Sequence, residues 1–216
     1  MVMGANRYVR PLDEDALFRT GAATWRSDIV THRSLSQIAA SAEWGGPEGY
    51  TPDPGAFQVE APIATLTEEA KAEARQVLQS MLNDPSLIPN LRMLGVLQVG
   101  DIELQNGALD HDWHHDGLAG KRHGHAGDFF CITYLSEPRW DDAWGGHFEY
   151  GARSLSGTWA TDGFSPEGEI HRLSPQARNT LLGWNQNPRL VHRSAPLRAQ
   201  RDRITMIASV NLCPRA

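Results

Sequence analysis

His114 and Asp116 are the residues whose types and spacing most directly suggest metal chemistry. They lie in a short run that is dense in histidine and aspartate, residues 110–116. In an extended segment, residues i and i+2 point to the same side, so one imidazole and one carboxylate can bind the same ion. His115 is then expected to point away from that ion. A solvated turn with the same His-x-Asp pattern is the alternative interpretation.

Residues near the C-terminus extend this pattern. His192 ends a short apolar segment and can supply a third ligand, with His147 as its competitor. Two histidines and one carboxylate, with coordination positions left open, are typical of non-heme Fe(II) oxygenases. Arg203 and Thr205 share one face of a predicted strand, so the guanidinium can hold a carboxylate beside the hydroxyl. A surface edge-strand arginine is the alternative for Arg203, and Arg201 is the second candidate for the carboxylate.

The first part of the chain predicts helices. Segments with helical periodicity lie at 12–25, 35–42 and 67–82. Thr67 is expected to cap the third helix, and Glu68 and Glu69 suit the positive end of its dipole. The segment 44–55 is dense in glycine and proline and predicts a loop.

From residue 91 onward, apolar alternation and turn residues predict short strands. These strands are expected at 93–99, 102–105, 129–135, 146–150, 169–173, 180–184, 189–192 and 203–212. Gly100 and Asp101 separate the first two as a hairpin-type turn. A helical part followed by such strands predicts a mainly β fold with N-terminal helices, a double-stranded β-helix (a cupin-like jelly roll). We expect one domain over 1–216, with a buttress of helices, strands and loops at 1–90 and the β-helix core at 91–212.

Composition argues against several classes of partner. The chain has 216 residues, of which 40% are hydrophobic and 21% charged, and its formal net charge is -6. The acidic balance argues against nucleic acid, and no apolar run reaches the roughly 18 residues of a membrane span. The N-terminal residues lack an apolar signal region, so secretion is not expected. Cys131 and Cys213 are predicted to be buried free thiols, which fits the cytoplasm.

Four blocks between residues 91 and 212 resemble the Fe(II)/2-oxoglutarate-dependent dioxygenases, in particular their prolyl 4-hydroxylase-like branch. The blocks are the His114-x-Asp116 run; the strand Cys131-Ile132-Thr133-Tyr134-Leu135-Ser136; the segment Trp144-Gly145-Gly146-His147-Phe148-Glu149; and Asn179-Thr180-Leu181-Leu182-Gly183-Trp184 with His192 and Arg203-x-Thr205 after it. The resemblance implies that His114, Asp116 and His192 bind iron. It also implies that Arg203, Tyr134 and Thr205 bind the distal carboxylate of 2-oxoglutarate.

The resemblance also implies the reaction. Fe(II), 2-oxoglutarate as cosubstrate and O2 are expected to act together, with ascorbate as a stimulating reductant, and succinate and CO2 are released. We expect hydroxylation, or another oxidation, of an unactivated C–H bond in a small molecule, such as an amino acid or a secondary-metabolite intermediate of bacterial biosynthesis. Asp116 favours a hydroxylase over a halogenase, because halogenases carry a small residue there to make room for halide.

Substrate choice is predicted where the chain departs from the resemblance. Gln105 stands where relatives often have a tyrosine, and His111 stands where they often have an aromatic residue. Trp113, Trp144 and Trp184 are further candidates for a substrate pocket. The segment 117–127 is interpreted as a lid over the site; a metal-binding His-x-His formed by His123 and His125 is the alternative.

Other functions fit the same residues. A protein side-chain hydroxylase of the prolyl type and a cupin-like iron oxygenase without 2-oxoglutarate are two enzyme alternatives. A non-catalytic metal- or sugar-binding cupin-like module, with His114 and Asp116 in a structural zinc site, is the alternative of another class. A monomer and a homodimer both fit the sequence.

Overall fold

The computed structural model describes residues 8–10, 14–27, 32–44, 63–83, 89–107, 113–115, 127–154 and 165–215. The helices are α1 Glu14–Thr20, α2 His32–Ala40, α3 Glu68–Leu82 and α4 Pro89–Leu94. The strands are β1 Tyr8–Arg10, β2 Ala22–Ser27, β3 Ala42–Trp44, β4 Ile63–Leu66, β5 Val96–Asn106, β6 Phe129–Tyr134, β7 Phe148–Ala152, β8 His171–Leu173, β9 Asn179–Trp184, β10 Leu190–Ser194 and β11 Ile204–Cys213. Apart from Trp44 and Gly127, the predicted loop 44–55 and the predicted lid 117–127 lie outside these residues.

Two antiparallel sheets form the body of the protein. The larger sheet has eight strands in the order β1-β2-β9-β6-β11-β5-β4-β3, and the smaller sheet has the order β10-β7-β8. An isolated bridge between His114 and His192 adds the segment 113–115 to the smaller sheet beside β10. Two facing antiparallel sheets with strands that alternate between them form the predicted jelly roll.

Helix α3 supports the larger sheet. Thr67 is its N-cap, with the side chain accepting a hydrogen bond from the backbone N–H of Ala70 at 3.2 Å. Glu68 and Glu69 lie in the first turn, as expected from the dipole. One face of the helix is buried, and its residues are Ala70, Ala74, Leu78, Met81 and Leu82. The helix predicted at 67–82 is therefore confirmed.

The larger sheet separates two apolar layers. The helices pack on one face of this sheet, where Phe129, Cys131 and Leu182 belong to the larger core. The other face meets the smaller sheet, and Phe130, Ile132 and Leu181 belong to the core between the sheets. Neighbouring residues of β6 and β9 thus face opposite layers, as the strand period requires. Among the described residues, no helix is both long enough and apolar enough to cross a membrane.

The hairpin predicted at Gly100 and Asp101 is wrong, because these residues form a β-bulge within the single strand β5. Ala208 pairs with Ile102 and Val210 pairs with Val99, so two residues of β5 oppose Ser209 alone. A Cβ on Gly100 would collide with the hydroxyl of Ser209, and Asp101 N–H donates to that hydroxyl at 2.9 Å. Because the bulge shifts the strand period by one residue, apolar residues on both sides of it face the helices.

Two helix boundaries also differ from the prediction. The helix predicted at 12–25 ends at Thr20, and Ala22–Ser27 form β2, which pairs with β9. Gly21 makes this change of direction at φ +85°, a conformation that favours glycine. In addition, Met93 and Leu94 end the helix α4 instead of opening a strand. Pairing with β9 decided the segment Ala22–Ser27 against its local periodicity.

Candidate functional site

His114 and His192 lie opposite each other in the smaller sheet. The backbone N–H of each donates to the carbonyl of the other at 3.0 Å. Their side chains leave the same face of the sheet, and the ring centroids are 4.4 Å apart. Two imidazoles held at this separation can bind one ion together.

Aromatic side chains hold His192 in place. Its ring is buried, with a centroid 5.1 Å from that of Phe148 and 5.3 Å from that of Phe130. Phe148 comes from β7 and Phe130 from β6, so both sheets contribute to this packing. Packing against two rings restricts the rotation of the imidazole, and an apolar wall on this side keeps water from the ring.

Gly183 leaves the space that Phe130 occupies. A Cβ at position 183 would collide with the end of the Phe130 ring. Because Gly183 and Phe130 pair across β9 and β6, the missing side chain lets the ring lie flat over the sheet towards His192.

Arg203 lies buried between the sheets, next to the start of β11. Its guanidinium donates to the carbonyls of Gly146 and Gly107 and, at 3.0 Å, to the hydroxyl of Thr205. It also donates to the hydroxyl of Tyr134 at 2.8 Å. These bonds use four of the five N–H groups of the guanidinium. The fifth, on Nη2, has no acceptor among the described residues.

The polar groups around Arg203 can hold an anion. Tyr134 and Thr205 accept from the guanidinium, so the proton of each hydroxyl can be donated elsewhere. Burial raises the pKa of Tyr134, and Arg203 opposes this change, so the phenol remains a donor at neutral pH. No carboxylate of the described residues pairs with Arg203, which is only 3% exposed. A buried cation without an internal counter-charge favours an anionic ligand.

Of the three residues predicted to bind a metal, the structure describes the two histidines. Imidazole is a ligand that iron and several other transition metals accept. Asp116 lies outside the described residues, and no group of three His, Cys, Asp or Glu side chains able to hold an ion occurs within them. The pair His114 and His192 therefore fits two ligands of a metal ion, and the assignment of Asp116 stays a prediction.

Two alternatives for these roles lie elsewhere. Arg201, the second candidate for the carboxylate, stacks over Trp144 at 4.5 Å and pairs with Glu137 at 3.6 Å on the exposed side of the barrel end. His147, the competitor of His192, contacts Asp142 at 3.1 Å. Neither residue contacts the groups described above, and His123 and His125 lie outside the described residues.

Four of the five residues predicted to bind substrate are described, and the structure does not bring these four together. Gln105 faces the interior beside Thr205 and donates to Glu103 at 2.7 Å. Trp184 instead stacks on Phe129 on the helix side of β9, with centroids 5.9 Å apart. Trp144 packs against Trp140 and Arg201, and Trp113 lies over Arg193 at 4.9 Å on the outer face of the smaller sheet. These positions do not favour a substrate role for the three tryptophans, and His111 lies outside the described residues.

Sequence reasoning missed the carbonyl groups that hold Arg203. Gly146 has φ +70°, and a Cβ there would lie 3.0 Å from Cδ of Arg203. The Gly145-Gly146 pair was the available signal, because consecutive glycines allow a backbone to approach a side chain closely. Glu149, buried on the outer face of the smaller sheet, was also missed.

Solved structures with this fold are similar over most of the chain. A prolyl-4-hydroxylase from Pseudomonas putida is 15% identical, with a TM-score of 0.57, covering 94% of this chain and 97% of that one. A prolyl hydroxylase from Trichoplax adhaerens, in complex with a hypoxia inducible factor peptide fragment, is 17% identical with a TM-score of 0.58, covering 90% and 86%.

A third similar structure is the non-heme α-ketoglutarate-dependent epimerase SnoN from nogalamycin biosynthesis. It is 14% identical with a TM-score of 0.58, covering 91% of this chain and 78% of that one. SnoN is also known in complex with Fe3+, α-ketoglutarate and nogalamycin RO. No protein-family model and no curated protein matches the sequence. The chain thus has the fold of Fe(II)/2-oxoglutarate oxygenases, in a form like that of the prolyl hydroxylases.

Proposed function

We propose that the protein is an Fe(II)- and 2-oxoglutarate-dependent oxygenase that oxidises an unactivated C–H bond of a small molecule. The observation that carries this proposal is the buried Arg203, which has hydroxyl donors around it and no carboxylate partner among the described residues. A pair of facing histidines in the same barrel supplies the second part of the site. The likeness of the fold to oxygenases that use α-ketoglutarate supports this combination.

His114, Asp116 and His192 would hold the iron. The imidazoles of His114 and His192 come from adjacent strands, and the carboxylate of Asp116 follows two residues after His114. When bound, iron and 2-oxoglutarate supply the activation of O2 and the oxidation of the substrate. The rings of Phe130 and Phe148 limit the access of water to His192 from one side.

Arg203 would bind the distal carboxylate of 2-oxoglutarate. Three donors could meet its oxygens: the second N–H on Nη2, which has no acceptor in the described part of the chain, and the hydroxyl protons of Tyr134 and Thr205. The positive charge of the guanidinium would offset the negative charge of the ligand in a buried place, where charge-assisted hydrogen bonds are strong. Two backbone carbonyls fix the guanidinium before the ligand arrives, so little ordering is needed on binding.

A small molecule is the proposed substrate, and a prolyl-type peptide is the second candidate. SnoN acts in the biosynthesis of nogalamycin, a small molecule, whereas the Trichoplax enzyme is known with a peptide fragment. Both folds resemble this chain to a similar degree. A screen that includes free amino acids, small cyclic metabolites and proline-containing peptides separates the two candidates.

Release of succinate tests the proposed function. Purified protein with Fe(II), ascorbate and 2-oxoglutarate is expected to form succinate in the presence of its substrate, and more slowly without it. His114→Ala and Asp116→Ala are each expected to lower the affinity for the metal by at least about tenfold. Absence of succinate with every substrate class, together with unchanged metal affinity in His114→Ala, would refute the proposal.

A further inference from the structure

The outer face of the smaller sheet carries a row of charged and aromatic side chains behind the two histidines. In this sheet Arg193 pairs with Glu149, and Glu149 pairs with Arg172. The bridge between His114 and His192 places Trp113 opposite Arg193. The outer row therefore crosses four adjacent segments in the order Trp113, Arg193, Glu149 and Arg172.

Each member of the outer row contacts the next. The guanidinium of Arg193 lies over the Trp113 ring, 4.9 Å from its centroid. Nε and Nη2 of Arg193 both lie 2.8 Å from Oε2 of Glu149. The other oxygen, Oε1, accepts from Nε of Arg172 at 2.8 Å. The Glu149 side chain is only 5% exposed, and each of its two oxygens is paired with a different arginine.

Both chain neighbours of His114 are held by side-chain contacts. Trp113 lies against Arg193, and Nε2 of His115 is 2.8 Å from the carbonyl of Asn187. The backbone of His114 is bonded on both sides to His192. Successive residues of an extended segment point to opposite faces, so fixing Trp113 outward directs the imidazole of His114 inward.

We propose that Trp113, Arg193 and Glu149 are positioning residues, which hold His114 in the orientation that binds the metal. Glu149 fixes the guanidinium of Arg193, and the guanidinium in turn fixes the Trp113 ring by a cation–π contact. Residues that orient a metal ligand commonly change metal affinity 10- to 100-fold when they are removed. The inference rests on the proposed role of His114 as a ligand.

The test compares Arg193→Gln with Arg172→Gln. Both substitutions remove one guanidinium from the same carboxylate, but only Arg193 contacts Trp113. The readout is the affinity of the metal-free protein for Co(II), followed anaerobically by visible absorption, with thermal unfolding measured in parallel. Arg193→Gln is expected to weaken binding at least about tenfold. Arg172→Gln, whose side chain is 66% exposed, is expected to change it less than about threefold.

A second pair of variants separates positioning from general destabilisation. Trp113→Phe keeps an aromatic face for the guanidinium and is expected to retain most of the Co(II) affinity. Trp113→Leu removes this face and is expected to weaken Co(II) binding about as much as Arg193→Gln does. Equal effects of Phe and Leu, or of Arg193→Gln and Arg172→Gln, would overturn the inference. Unchanged Co(II) affinity in His114→Ala would instead contradict the proposed function, because His114 would then not bind the metal.

Discussion

The hydroxyl of Tyr134 accepts a hydrogen bond of 2.8 Å from Nη2 of Arg203 in the space between the two sheets. This bond joins β6 to the residue just before β11 and leaves the phenolic proton directed to a further acceptor. The arginine and the phenol together thus offer a positive charge and two donors to one ligand.

Replacing Arg203 is expected to weaken the binding of the cosubstrate much more than the binding of the metal. Arg203→Gln should weaken the binding of 2-oxoglutarate by at least about 30-fold, because a buried charge partner worth roughly 2 kcal/mol or more is lost. Calorimetric titration of the Mn(II)-loaded protein measures this change. The Mn(II) affinity itself should remain near that of the wild type.

Arg201→Gln is the matched control for this experiment. Arg201 pairs with Glu137 and stacks on Trp144, away from the Arg203 pocket. Its replacement should leave 2-oxoglutarate binding unchanged. If Arg201→Gln weakens the binding of 2-oxoglutarate more than Arg203→Gln does, Arg201 and not Arg203 binds the carboxylate.

Tyr134→Phe removes the hydroxyl and should weaken the binding of 2-oxoglutarate by roughly tenfold, which is the usual effect of losing one hydrogen bond to a charged group. Because burial raises the pKa of Tyr134, the phenol should keep its proton throughout the neutral and mildly alkaline range. The wild-type affinity is therefore expected to stay constant over that range. An affinity that falls with an apparent pKa near 8 would contradict this role for Tyr134.

Substitution of Gly183 tests the packing that holds His192. Gly183→Ala forces a Cβ into the Phe130 ring and is expected to lower the free energy of unfolding by about 1 to 3 kcal/mol. Metal affinity should fall as well, since Phe130 lies against His192. Urea unfolding and Co(II) titration measure the two effects.

A compensating change provides the control for Gly183. Phe130→Leu shortens the side chain that meets the new Cβ, so the double variant should be more stable than Gly183→Ala alone. If the two substitutions add independently, contact between these residues does not explain the loss.

Cys131 is expected to make the free energy of unfolding vary with pH in the alkaline range. Burial raises the pKa of its thiol to about 12, so the folded protein holds this proton more tightly than the unfolded chain. The free energy of unfolding should therefore fall as the pH rises from about 9 towards 12, by up to about 1.4 kcal/mol per pH unit. Cys131→Ala should reduce this dependence, as measured by urea unfolding at several pH values, whereas Cys213→Ala should retain it.

Local sequence patterns predicted the elements that are amphipathic or strongly apolar. The α3 helix has a capping threonine and a regular apolar face, and β6 and β9 are rich in apolar residues. By contrast, Ala22–Ser27 continues a helical pattern and becomes a strand because it pairs with β9. The Gly100-Asp101 pair fits both a turn and a bulge, and only the register with β11 distinguishes the two.

The site was predictable where residue type limits the chemistry. Arg203 and Thr205 were expected together from the strand period, Tyr134 was added by the resemblance, and the three share hydrogen bonds in the structure. The sequence predicts the direction of an aromatic side chain less well than its chemical type, because a shift of one residue in the strand register moves the side chain to the other face. For this reason Trp184 and Trp113 were assigned to a pocket, although one faces the helices and the other faces outward.

The central claim is that iron and 2-oxoglutarate bind together next to His192 and Arg203. Anaerobic addition of Fe(II) and 2-oxoglutarate to the wild-type protein, followed by visible absorption, tests it most directly. A weak charge-transfer band is expected only when both are present, and it should be lost in His192→Ala and strongly reduced in Arg203→Gln. A folded wild-type protein that binds Fe(II) and gives no such band at saturating 2-oxoglutarate would contradict the claim.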